Sequence, residues 1–126
     1  GIKELYSANI SIDADRLLLV KFKNDVSVEI DEMIKLVDVS LELVDGKPFY
    51  LLVDARDILG TMDHESRKYV AEHQLYNELN IAQAIVVNNM PIRILASAYY
   101  SLYKNVNPVK IFSDLDKAKE WLSKHS

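Results

Sequence analysis

The feature that most constrains what this chain can fold into is Phe49-Tyr50-Leu51-Leu52-Val53, an unbroken apolar run that stops in Asp54-Ala55-Arg56. A half-exposed strand alternates apolar and polar residues. This one does not, so both of its faces need cover, which a sheet with helices packed on each side provides. Asp45-Gly46-Lys47-Pro48 precedes the run. Gly46 suits the positive φ that ends a helix, and Pro48 marks a chain that cannot continue one. Burying Leu51, Leu52 and Val53 stabilises by about 1.5–3 kcal/mol each before chain entropy is subtracted. Asp54 is then the first polar group at the carboxyl end of the strand, the end at which open α/β sheets bind ligands. A loop carrying Arg56, Asp57 and Thr61 follows, and Asp63 is a good N-cap for the next helix.

The rest of the chain supplies the neighbours. Residues 6–12 and 16–23 read as two strands around the turn Asp13-Ala14-Asp15. In the first, Tyr6, Ala8, Ile10 and Ile12 share a face, with Ser7, Asn9 and Ser11 on the other, as expected of an antiparallel edge. Residues 26–30 suit a short extended piece. Asp31 is the expected cap of a helix reaching Val44, with Met33, Ile34, Val37, Leu41 and Val44 as its apolar stripe. A second helix is expected over residues 63–79, and a second apolar run over 81–88 reads as another buried strand. Pro91 favours the first turn of a helix over 92–104. Residues 109–112 form a last strand. Ser113 and Asp116 have capping-box spacing ahead of a helix that places Leu115, Ala118, Trp121 and Leu122 together. The expected order is β-β-α-β-α-β-α-β-α: one α/β domain over residues 1–126, with a mixed sheet flanked by helices and right-handed crossovers between its parallel strands.

Several function classes are disfavoured. The chain has 126 residues and a formal net charge of −4, which does not favour a generic nucleic-acid or anionic membrane surface. It has no cysteine, so disulfides, zinc-thiolate sites and thiol catalysis are out, and a cytoplasmic setting fits. No apolar run approaches the roughly 18–20 residues that span a bilayer. His64, His73 and His125 lack the i, i+4 spacing of a helix-borne zinc pair, and Gly46 and Gly60 are too isolated for a phosphate loop. No metal or other cofactor is expected, and no catalytic residue stands out; an acid or base role for Asp54 or His64 has no substrate to go with it.

Two groups of candidate residues remain. Asp54, Arg56, Asn88, Asn89 and Asp114 belong along the carboxyl edge of the parallel strands, where helix starts also point their amides. Such an edge suits a small anion or a partner's side chain, and equally suits plain loop anchoring. Tyr99, Tyr100 and Tyr103, with Ile92, Ile94, Leu95 and Leu102, exceed what one buried helix face needs. Tyrosine joins an apolar body to a polar tip. The three fit a homodimer contact, a lipid-like pocket beneath the helix, or completion of the core.

The hairpin, the helix after it, the run Leu51-Leu52-Val53-Asp54, the segment Asp63-His64-Glu65-Ser66-Arg67-Lys68-Tyr69 and the ending Val109-Lys110-Ile111-Phe112-Ser113-Asp114 with Ala118, Trp121 and Leu122 resemble the STAS superfamily. Within it they are similar to bacterial STAS/SEC14-like, anti-anti-sigma-factor-like (SpoIIAA-like) proteins of unassigned function. The resemblance covers nearly the whole chain from Tyr6. It implies a regulatory, protein-binding module that is not an enzyme. In signalling members a kinase phosphorylates a Ser or Thr at the start of the helix after the central strand, and partner binding is lost. Here that position holds Asp63, which reads either as a fixed negative charge in place of the phosphate or as a simple cap. Thr61 and Ser66 flank it. The resemblance thus centres the expected contact surface on Asp54, Arg56, Asp57, Thr61, Asp63, His64 and Arg67, with an unidentified protein partner. Its SEC14 side implies the alternative, a small-molecule or lipid carrier with its site under the 92–103 helix.

Overall fold

The computed structural model describes residues 2–23, 27–56, 63–88, 90, 93–94 and 107–125. The chain runs β1 (Ile2–Glu4), β2 (Ala8–Ile12), β3 (Leu17–Phe22), α1 (Ile30–Val44), β4 (Phe49–Asp54), α2 (His64–Glu72), α3 (Gln74–Leu79), β5 (Asn80–Val86), β6 (Val109–Phe112) and α4 (Leu115–Ser123). The strands form one sheet in sequential order, β1 to β6. β1–β2 and β2–β3 are antiparallel, and β3–β4, β4–β5 and β5–β6 are parallel. The mixed sheet flanked by helices is the expected α/β architecture. Of the expected helix over 92–104, residues 93 and 94 are described and are helical, while Tyr99, Tyr100 and Tyr103 lie outside the described residues.

The central run behaves as its composition demands. Phe49 and Leu51 enter a cluster with Ile10, Leu18, Val20, Met33, Val37 and Tyr76, on the face covered by α1, α2 and α3. Leu52 enters a second cluster with Ala82, Ala84, Val86, Ala118 and Leu122, on the face covered by α4. Ala82, Ala84 and Ala118 are fully buried, and their small side chains let α4 approach β5 closely.

The local corrections have physical causes. β1 was not expected; it is three residues long, exposed throughout, and too short to show periodicity. The first β-alternation is broken at its start: Tyr6 is exposed while Ser7 is fully buried, because the chain bends there before β2 begins at Ala8. Glu32 Oε1 accepts from both the Ser7 amide (3.0 Å) and the Ser7 hydroxyl (2.9 Å). The buried side of α1 is Glu32, Met33, Leu36, Val37, Ser40 and Val44, with Leu41 packed against the same cluster, and Ile34 of the expected stripe is exposed. Glu29, not Asp31, occupies the N-cap of α1, without a side-chain cap bond; Asp31 lies in the first turn, where the helix dipole favours an acid.

α1 ends with Asp45 (φ 52) and Gly46 (φ 69) both left-handed. Arg16, left-handed itself at φ 66, donates from its guanidinium to the carbonyls of Val44 (2.6 Å), Pro48 (3.1 Å) and Lys47 (3.2 Å). A cation from the β2–β3 turn thus serves the negative end of α1. The expected helix over 63–79 is two helices. His73 interrupts it in an extended conformation, capping α2 at its end and α3 at its start. α4 is capped by Asp114, one residue beyond the expected Ser113, with Asp114 Oδ1 accepting from the amides of Asp116 and Lys117.

Candidate functional site

β4 ends in a buried charge. Asp54 is 5% exposed and continues the alternation of Tyr50 and Leu52 along the strand. Two residues on, Arg56 turns back onto it. Arg56 Nε donates to Oδ1 and Nη2 to Oδ2, each at 2.9 Å, and the Arg56 backbone N–H donates to Oδ1 at 3.2 Å. This is a forked pair, the strongest way an arginine holds a carboxylate. Burial by itself pushes the Asp54 carboxyl up. The hydrogen bonds from Arg56 and the charges of Arg56 and Lys21 together outweigh it, and hold the group below the usual carboxylate value. Lys21 stands opposite Asp54 in the β3–β4 register. It was not singled out from the sequence, although it breaks the apolar run of β3 at the strand's carboxyl end.

The start of α2 is tied down separately. Asp63 Oδ1 accepts from the Ser66 amide at 2.8 Å. The Ser66 side chain comes first among the causes holding the Asp63 carboxyl low and this bond from the Ser66 amide second, with the charges of Arg67 and His64 adding to them. The Asp63 amide donates to the Val28 carbonyl (3.3 Å), and so does the Ser66 hydroxyl (3.4 Å). The helix start is thereby fixed to the segment that leads into α1. His64 occupies the first helical position and is exposed. Arg67, part-exposed, closes the first turn by donating its amide to the Asp63 carbonyl (3.2 Å).

Asp54 and Arg56 are therefore in direct contact, and Asp63, His64 and Arg67 form a second group where the chain re-enters helix. Asn88 is exposed just beyond β5 and Asp114 just beyond β6, at the carboxyl ends of their strands. Asp57, Thr61 and Asn89 lie outside the described residues. Ser66 is fully buried, so it does not present a hydroxyl to a kinase.

A cavity of about 260 Å³ opens at the opposite, amino end of β4, lined by Asp13, Asp15, Leu17, Tyr50, Lys119, Leu122 and Ser123. Among the described residues no group of three or more potential ligands is placed to hold a metal ion, and no helix is long and apolar enough to cross a membrane.

No curated protein matches the chain. Among solved structures, the chain is similar to an uncharacterized protein of the DUF3478 family with a SpoIIAA-like fold, from Shewanella loihica PV-4. The TM-score is 0.70 at 15% sequence identity, over 95% of this chain and 97% of that one. At that identity the likeness concerns the fold, and the fold is SpoIIAA-like. A family model matches residues 10–126, and the chain belongs to that family, a domain of unknown function designated DUF7793.

Proposed function

We propose that this protein is a non-enzymatic regulatory module that binds a protein partner in the cytoplasm, through the loop and helix start that follow β4. The observation that carries the reading is the Asp54–Arg56 fork. A buried carboxylate holds an arginine that is 37% exposed at the carboxyl end of the central strand. Fixing a long side chain in advance lowers the entropy lost when a partner docks. Asp63 and Ser66 add a second rigid element, a capped helix start carrying Arg67 and His64. The SpoIIAA-like fold supports the reading by analogy with the regulatory STAS domains the sequence resembles.

Asp63 acts here as a cap with a standing negative charge, so the module needs no phosphate on Ser66 to complete the helix start. Reversing both charges, Arg56→Glu with Arg67→Glu, is expected to abolish capture of the partner from extracts of the source cell while the fold, read by circular dichroism, persists. Capture unchanged by the double reversal refutes this surface.

A further inference from the structure

The break between α2 and α3 is built around one titratable side chain. His73 Nδ1 accepts the backbone N–H of Tyr76 at 3.2 Å, serving as the N-cap of α3. An acceptor at Nδ1 means that this nitrogen carries no proton and the other ring nitrogen carries one. The ring packs edge-on against Tyr69 (5.6 Å) and Tyr76 (6.4 Å). Tyr76 in turn is buried against Phe49, the first residue of β4, at 5.4 Å. Asn77 braces the same joint, donating its amide to the carbonyls of Val70, Ala71 and His73.

Protonating Nδ1 replaces the acceptor with a donor aimed at another donor, and the α3 cap is lost. At the carboxyl end of α2 the helix dipole favours the charged ring, but it supplies no acceptor for the Tyr76 N–H. The ion pairs among the described residues are Lys23–Glu4, Arg56–Asp54 and Lys124–Glu120, none of which involves His73. Of the charged and titratable groups around the joint, Tyr69 and Tyr76 present rings. Burial first, and for Tyr69 then the charge of Asp38 on α1, pushes both phenols up, so they stay neutral. Glu72 is exposed at the end of α2, and Glu78 on α3 accepts from Gln74. β4 contributes the apolar ring of Phe49 to the same cluster.

We infer that the α2–α3 junction is a proton-sensitive joint: neutral His73 holds α3 and seats Tyr76 under β4, and protonated His73 releases the start of α3. Histidine is the side chain that ordinarily changes charge between pH 5 and 8. The joint does not depend on α2 being a contact surface.

Amide hydrogen exchange followed by NMR from pH 8 to pH 5, corrected for intrinsic rates, reads the joint directly. In the wild type, protection of the Tyr76 amide is expected to fall roughly fivefold on acidification, the scale of one lost N-cap, while β4 amides keep theirs. His73→Asn keeps a capping acceptor that does not titrate, and its Tyr76 protection is expected to stay level with pH. The same fall in His73→Asn overturns the inference. Independently, long-range ¹H–¹⁵N correlation on the wild type at pH 8 is expected to show Nδ1 unprotonated; a protonated Nδ1 overturns the inference even if the variant fails to fold.

Discussion

Arg56→Ala removes both guanidinium bonds to Asp54 and keeps the bond from the backbone N–H of residue 56. Asp54 would then be a buried charge with one remaining partner and Lys21 opposite it. Each hydrogen bond to a charged group contributes about 1.5–3 kcal/mol. Arg56 is 37% exposed, so water reaches the vacated position and recovers part of that. The expected loss is about 1.5–3 kcal/mol, below the 3–5 kcal/mol roughly typical of a fully buried pair. Arg56→Lys restores charge without the fork and should lie between wild type and alanine.

Urea unfolding at pH 7 measures these differences, and a double-mutant cycle with Asp54→Asn isolates the pair. The sign with pH is set by the lowered Asp54 carboxyl. Its contribution is fully present above the unfolded carboxylate value of about 3.9 and is lost as pH falls through the lower folded value. The gap between wild type and Arg56→Ala should therefore shrink below about pH 4. A gap under about 0.5 kcal/mol at pH 7, within the usual range for a surface change, refutes the argument that Arg56 clamps a buried charge. A gap that persists undiminished at pH 2.5 refutes the claim that it depends on the ionised carboxylate.

Four further substitutions test the frame around the site. Glu32→Ala leaves the buried Ser7 amide and hydroxyl without their acceptor, and should cost about 2 kcal/mol in chemical denaturation; Ser7→Ala keeps the amide bond and should cost less. Arg16→Ala removes three carbonyl contacts at the end of α1 and leaves a non-glycine residue at φ 66, for an expected loss of about 1–2 kcal/mol by the same measurement. Gly46→Ala meets no atom within 4 Å, so its expected cost of about 1 kcal/mol comes from backbone strain at φ 69 alone; an unchanged midpoint would show that the turn relaxes.

What was readable in advance followed from patterns that repeat over many residues. Runs apolar on both faces marked β4 and β5, and the Asp63 cap followed from side-chain chemistry at a single position. The stripe of α1 holds at Met33, Val37, Leu41 and Val44 and fails at Ile34; the burial of Glu32, through a partner 25 positions away, is a contact that no local rule scores. The break at His73 was missed for the same kind of reason. Residues 63–79 keep a helical stripe across the joint, and the bonds that stabilise the interruption come from His73 and Asn77 side chains folding back on the backbone. At the candidate site, Asp54 and Arg56 were named from their position at a strand end. That they form one forked pair depends on the turn after β4, which brings Arg56 back onto Asp54, and that Lys21 joins them electrostatically depends on strand register.

The amino-acid sequence by itself determined that the chain forms a mixed α/β sheet and where its central strand ends in charge. It did so because burying apolar runs is a large, repeated term that leaves few arrangements open. Only the tertiary structure decided which distant polar groups are buried and paired: Ser7 with Glu32, and Arg16 with the end of α1. Those pairings each rest on a few directed bonds between residues brought together by the fold. Their cost when unmade is high, but hydrogen bonding is short-ranged and leaves no periodic trace in the chain.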